Sequence, residues 1–231
     1  MKTTYLLANW KSHKTMAQTE NWLNEFSRLY HPVPQLKVIL APPMVYLAPI
    51  MRMIRNQGGI HHLSLATQDL SPFPLGSYTG AIAAEMVQGM VDFAILGHSE
   101  RRRYFHETNQ DIANKVNQAV AADIQPIVCI DQPYARAQLA AMDEGDLNKL
   151  IIGYGPVEAI GIDRAHSVAE VRLGVREIQS LAPQAPILYG GSVNGENAAD
   201  YLGIAGVSGL MVGTASLDVE EFVRICAIAG S

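Results

Sequence analysis

Short apolar runs recur along the chain, and most of the segments between them space their apolar residues three or four apart. Such runs are typical of buried strands, and the spacing is typical of helices that bury one face. After the first run, for example, Trp22, Phe26 and Leu29 form the apolar stripe of a helix. The pattern predicts a helix at 81–90 and eight strands, at 4–8, 37–41, 62–67, 93–97, 125–130, 150–154, 187–190 and 209–212.

Eight strand-like runs that alternate with helices predict a parallel sheet with the helices outside it. A closed barrel suits eight units better than an open sheet, because closure leaves no edge strands to protect. No Gly-x-Gly-x-x-Gly follows the first run, so the dinucleotide-binding signature of open sheets is missing. The fold class predicted is α/β, a single (β/α)8 barrel domain over 1–231.

Composition narrows the class of partner. With 48% hydrophobic and 17% charged residues, the 231-residue chain is typical of a globular protein. A net charge of -5 argues against a nucleic-acid or membrane partner. No signal peptide or long apolar span is found, and Cys129 and Cys226 make no disulfide framework, so we expect a cytoplasmic protein.

Polar side chains follow two of the predicted strands. Asn9 and Lys11 come after the first, and residues 97–102 (GHSERR) come after the fourth. A lone lysine is usually a solvated surface charge, and Ser99 could cap a helix with Glu100 in its first turn. Neither explanation accounts for His98, whose imidazole can act in proton transfer near neutral pH.

Glycine-bearing turns follow the last two predicted strands, in residues 189–194 (YGGSVN) and 209–217 (GLMVGTASL). Either turn alone is weak evidence, since glycines at strand ends are commonly just turns. On neighbouring barrel strands, however, two such turns present backbone amides to one point, as a phosphate site requires. The pattern therefore predicts a site for a small phosphorylated ligand.

These segments, together with 8–11 (ANWK) and Asn197, resemble the signature segments of the triosephosphate isomerase family, in order and over most of the chain. Cys129 is in the family's place, and residues 71–80 resemble its dimerisation loop. The resemblance implies the interconversion of glyceraldehyde 3-phosphate and dihydroxyacetone phosphate in glycolysis and gluconeogenesis. It also implies a homodimer and no metal or organic cofactor.

The resemblance also implies roles for particular residues. Lys11 would face the phosphorylated triose beside Asn9, His98 would polarise the carbonyl as a neutral imidazole, and Glu100 is a further catalytic candidate. The remaining implied positions supply phosphate-binding amides, at Gly161, Ser192, Gly213 and Thr214, and a contact with the partner subunit, at Thr79.

The chain departs from the family after the fifth and sixth strands. The family's Tyr-Glu-Pro-Val-Trp-Ala-Ile-Gly is here YGPVEAIG at 154–161, so Gly155 stands where the glutamate base belongs. A positioned base contributes about 10²- to 10⁴-fold. Glu158 is the candidate replacement, although three residues of loop, Pro156 among them, displace it. After Cys129, the family's Gly-Glu is Asp131-Gln132.

Three hypotheses remain open at this point. The protein could be a triosephosphate isomerase that is strongly impaired or that has relocated its base. It could be a non-catalytic or regulatory binder of small phosphorylated sugars. It could instead be a different phosphosugar isomerase or lyase that uses Glu158 or His98.

Overall fold

The computed structural model describes residues 3–56, 62–132, 134–155 and 166–231, except for the side chains of Asn56 and Glu144. Eight parallel strands pair in chain order and close into a barrel, with the last strand beside the first. The predicted (β/α)8 barrel is therefore confirmed. The strands are β1 Thr4–Asn9, β2 Leu36–Ala41, β3 Leu63–Thr67, β4 Phe93–Leu96, β5 Gln125–Ile130, β6 Ile151–Tyr154, β7 Ile187–Tyr189 and β8 Val207–Val212.

Helices surround the barrel. In the described ranges they are α1 Met16–Leu29, α2 Leu47–Asn56, α3 Ala84–Val87, α4 Ser99–Tyr104, α5 Asn109–Ala121, α6 Ala135–Ala140, α7 Glu144–Leu147, α8 Val168–Leu181, α9 Ala198–Leu202 and α10 Val219–Ala229, with 3-10 turns at Met44–Tyr46 and Thr214–Leu217. None of these helices is both long and apolar enough to cross a membrane.

The helix predicted at 81–90 is wrong in extent, because only Ala84–Val87 is helical. Ala83 is still extended, and the chain leaves the helix at Gln88 with ψ 131. Gly89 then takes φ 72, a left-handed conformation that favours glycine and does not continue a helix. The apolar spacing in this stretch reflects a turn packed on the barrel.

Close packing fixes how the barrel closes and how its helices sit on it. A Cβ atom at position 209 would lie 2.0 Å from the backbone oxygen of Tyr5, so only glycine lets β8 approach β1. A Cβ atom at position 174 would lie 2.2 Å from the hydroxyl of Tyr154, so a glycine also lets α8 pack against the end of β6. These contacts fix the distance between β8 and β1 and the position of α8 on β6.

Side chains alternate between the barrel interior and the helix layer along each strand. The interior cluster contains Leu7, Ile39, Ile95, Ile127, Cys129, Ile151, Leu188 and Met211. Continuing this alternation past the strand ends points the next residue of the same face toward the barrel mouth, where (β/α)8 enzymes carry their active sites. The residues that this alternation points toward the mouth include Asn9, Asp131, Gly155, Gly190 and Gly213.

Candidate functional site

Lys11 lies directly after β1 in an unusual backbone conformation. Its φ of 50 is in the left-handed region, which a lysine rarely adopts. Its N–H donates to Oδ1 of Asn9 at 3.0 Å, and its carbonyl accepts from Nε2 of Gln68 at 2.8 Å. The same amide group of Gln68 also donates to the carbonyl of Ala41. These bonds hold a strained turn that presents Lys11 at the mouth, and such strain is typical of functional positions.

The ammonium of Lys11 forms an ion pair with Glu100 at the start of α4. Nζ lies 2.6 Å from Oε1, and the two side chains are 31% and 35% exposed. A pair this accessible adds little to stability, so its main effect is to position the charge. A Cβ atom at Gly213 would lie 3.8 Å from Cε of Lys11. The structure thus brings together three predicted site residues from β1, β4 and β8.

His98 caps α4 with its ring. Nδ1 accepts the N–H of Glu100 at 3.2 Å, which corrects the expectation that Ser99 is the cap. The ring is only 14% exposed. Burial lowers the pKa of His98 below 6.5; Lys11 and Arg101 act in the same direction, and Glu100 opposes them. A neutral ring whose Nδ1 is an acceptor carries its proton on Nε2, where it can be donated to a carbonyl oxygen.

The turns after β7 and β8 hold the other predicted binding residues. Nδ2 of Asn197 donates to the carbonyl of Ser192 at 2.8 Å, which ties down the turn after β7. The backbone N–H and hydroxyl of Ser216 both donate to the carbonyl of Gly213, at 2.8 and 2.6 Å, and start the 3-10 turn that contains Thr214. The predicted phosphate contacts of Ser192, Gly213 and Thr214 remain predictions.

Two predicted site residues, Glu158 and Gly161, lie outside the described residues. Thr79 is exposed, in a segment whose residues 73–80 are all exposed. In that segment the rings of Phe73 and Tyr78 stack with centroids 4.6 Å apart. Among the residues that the structure describes, no group of three or more His, Cys, Asp or Glu is placed to hold a metal ion.

A small enclosed cavity lies at the ends of the strands. It is lined by His98, Asp131, Gly155 and Gly190, and by Gly153 and Met211 of the barrel interior. Its volume is about 20 Å³, roughly the room that one water needs. Gly155, where the resemblance predicts the base, thus faces a space shared with the imidazole of His98 and a carboxyl group.

That carboxyl group belongs to Asp131, which is only 5% exposed. Burial raises the pKa of Asp131 to about 6, against the opposing effects of Arg102 and of a hydrogen bond with Gln138. The sequence showed Asp131 as a departure from the family but gave it no role. The alternation of Ile127, Cys129 and Asp131 along β5 was the signal that could have placed it inside the barrel.

A buried charge network supports α4 from behind. Nζ of Lys115 lies 2.6 Å from Asp69 and 2.5 Å from Glu107, and its side chain is 3% exposed. Arg101 pairs with the same two carboxylates, at 2.9 and 2.6 Å. This network was not predicted from the sequence, although a lysine on the apolar face of α5 beside Val116 was a signal for it.

Comparison with known proteins gives the same family as the residues do. The sequence model of the triosephosphate isomerase family matches residues 4–229. Proteins named triosephosphate isomerase from Mesomycoplasma hyorhinis and Thermus thermophilus are 32% and 33% identical to this chain. The alignments cover 99% of both chains in the first case and 100% of both in the second. With its closed eight-stranded barrel and ordered signature segments, the chain belongs to the triosephosphate isomerase family.

Proposed function

We propose that the protein interconverts glyceraldehyde 3-phosphate and dihydroxyacetone phosphate by proton transfer, at a rate well below that of a family member with a glutamate at position 155. The observation that supports this most is the largely buried His98 ring, whose Nδ1 is an acceptor, in one cluster with Lys11 and Glu100. Membership of the family does not by itself require that a chain without the base keep this arrangement of His98, Lys11 and Glu100. Its presence therefore supports a catalytic role.

Each side chain has a definite task in this reaction. The ammonium of Lys11 attracts the doubly charged substrate and offsets the negative charge that develops as the enediolate forms. His98 donates the Nε2 proton to the carbonyl oxygen as the neighbouring carbon loses its hydrogen. Gly155 contributes no group that could accept that hydrogen, and the missing base is expected to reduce turnover by about 10²- to 10⁴-fold.

The test combines binding and turnover. Purified protein is titrated with 2-phosphoglycolate by calorimetry, and conversion of dihydroxyacetone phosphate is followed by NMR. We expect binding and slow conversion in the wild type, and a large loss of both in Lys11→Met. Lys149→Met is the matched control, because this exposed lysine precedes β6 at the opposite end of the barrel. Failure of the wild type to bind or convert would refute the proposal.

A second candidate is a binder of small phosphorylated sugars that does not turn them over. It is favoured by Gly155, because the position of the base has no side chain while Lys11 and His98 keep their contacts. The two candidates differ in D₂O. Binding of 2-phosphoglycolate without deuterium incorporation into dihydroxyacetone phosphate would identify the binder.

We also propose a homodimer that uses the exposed segment 73–80, where Phe73, Leu75 and Tyr78 present apolar side chains to solvent. Exposed apolar groups clustered on one segment are typical of an interaction surface. Thr79 would contact the partner subunit. Sedimentation should give a dimer for the wild type and a monomer for Leu75→Asp, whereas Leu173→Asp, at an exposed leucine on α8, should remain dimeric. A cytoplasmic location stays a prediction.

A further inference from the structure

We propose that the Asp131 carboxylate, at the end of β5, is the general base that takes the carbon-bound proton of the substrate in place of the missing side chain at Gly155. The inference rests on the proposed isomerase function and names the group that carries its central step.

Strand register places Asp131 beside the vacant position. Cys129 of β5 pairs with Gly153 of β6, and Asp131 and Gly155 each lie two residues further on. A step of two returns to the same face of a strand, so both positions point into the barrel. Neighbouring strands are about 4.8 Å apart, so the Asp131 side chain lies beside the space that a side chain at position 155 would fill. The proposed base therefore lies on the strand next to β6, whereas Glu158 lies three residues further along the loop after β6.

The cavity places this carboxylate beside the proposed electrophile. Asp131 and Gly155 line the same cavity as His98. A base and an electrophile must face one substrate from two sides, with the base within hydrogen-bond reach of the proton that it removes. No side chain at Gly155 or Gly153 stands between Asp131 and that space.

Burial argues against a purely structural role for Asp131. An ionised carboxylate taken out of water is unfavourable unless it is paired. In the described residues no cation lies within ion-pair distance of Asp131, and Arg102 acts on it only from further away. An asparagine could keep the hydrogen bond with Gln138 without carrying a charge. A charge retained at such a place indicates a chemical task.

The proton-transfer step balances without any added reagent. The hydroxymethylene C–H bond beside the carbonyl breaks, and its proton bonds to an Oδ atom of Asp131. The electron pair of that bond forms the carbon–carbon double bond, and the carbonyl oxygen takes the Nε2 proton of His98. The substrate is then a neutral enediol, and the negative charge lies on the His98 ring as an imidazolate. Return of the proton from Asp131 to the adjacent carbon, with return of a hydroxyl proton to His98, completes the isomerisation.

The surroundings keep Asp131 suited to this task. The titratable groups that face it are Arg102 from α4, the Cys129 thiol from its own strand, and His98 across the cavity. Burial raises the pKa of Cys129 to about 12, and the low pKa of His98 keeps its ring neutral. Among the described residues that line this cavity, only the Asp131 carboxylate is therefore both deprotonated and basic at neutral pH.

The test compares four proteins, the wild type, Asp131→Asn, the double variant Asp131→Asn/Gly155→Glu, and Asp123→Asn as a control on an exposed turn at the other end of β5. Steady-state kinetics and deuterium incorporation are measured with dihydroxyacetone phosphate, and phosphate-site binding is measured with 2-phosphoglycolate. We expect Asp131→Asn to lower kcat by about 10²-fold or more with KM within about threefold of the wild type. The double variant should have a kcat at least about tenfold higher than that of Asp131→Asn. The control Asp123→Asn should have the kcat of the wild type.

The outcomes separate this inference from the proposed function. A wild type that neither binds nor converts would refute the isomerase itself. A wild type that converts substrate while Asp131→Asn retains kcat within about threefold would overturn only the assignment of the base. A double variant no faster than Asp131→Asn would mean that the substitution damages the site in another way, and would also overturn it.

Discussion

Replacing Asp131 with asparagine should make the protein more stable at neutral pH. The carboxyl group is buried, and its pKa is about 6 rather than 3.8. In the folded protein the protonated form is therefore favoured relative to the unfolded chain. A raised pKa of an acid gives stability that is fully present below pH 3.8 and is lost as the pH rises through about 6. Asparagine has the same shape and never ionises.

The magnitude follows from the two pKa values. Their difference of about 2.2, at ~1.36 kcal/mol for each pH unit, gives about 3 kcal/mol of stability that the wild type has lost by about pH 7.5. At about pH 4.5 the same linkage gives a loss of only about 1 kcal/mol. Asp131→Asn should therefore exceed the wild type by about 3 kcal/mol at the higher pH and by about 1 kcal/mol at the lower one.

Urea unfolding followed by circular dichroism measures this difference at both pH values. Protein concentration is held fixed, because dimerisation would couple to stability. Asp123→Asn serves as the matched control, since that aspartate is exposed, and it should follow the wild type at both pH values. An Asp131→Asn protein that is no more stable than the wild type, or equally stabilised at both pH values, would refute the reasoning that the carboxylate is buried at a cost to folding.

Three further predictions concern the barrel and the cluster at its mouth. Gly209→Ala should lose at least about 3 kcal/mol of unfolding free energy, because the new Cβ atom would meet the backbone oxygen of Tyr5. Gly145→Ala is the control, because its Cβ atom would meet nothing within 4 Å, and it should gain about 0.5 kcal/mol. Lys115→Met should lose about 3–5 kcal/mol in urea unfolding, because it leaves two buried carboxylates short of a partner. Proton–nitrogen NMR should find His98 as the neutral Nε2–H tautomer at about pH 7, with a titration midpoint below 6.5.

Much of the fold could be predicted because buried parallel strands are continuous apolar runs. The predicted runs overlap all eight strands, and most ends agree within one residue. The start of β8 is two residues earlier than predicted, since Ser208 is polar in sequence yet buried in the barrel. The helix at 81–90 was overestimated because apolar spacing also arises in a packed turn, which only tertiary contacts distinguish.

The sequence indicated several residues that lie together at the barrel mouth, but not how their charges and hydrogen bonds are arranged. Lys11, His98 and Gly213 were identified from their segments, yet the cap that orients the His98 ring depends on where α4 begins. The role proposed for Asp131 depends on strand register and burial together. Its neighbours Arg102 and Gln138 come from two different helices, and sequence spacing does not reveal that they face one carboxyl group.

The same geometry explains why the family's glutamate cannot simply be put back at position 155. Two carboxylates on adjacent inward positions, on strands about 4.8 Å apart, repel one another in a buried cavity, and one of them would hold its proton at neutral pH. The pair would titrate as a unit, and neither group would be a fully ionised base. Gly155→Glu alone should thus gain less activity than Gly155→Glu combined with Asp131→Gly, which gives both positions the residues of the family pattern. If the two changes instead contribute independently to kcat, the carboxylates do not share one site, and Asp131 lies too far from the substrate to be its base.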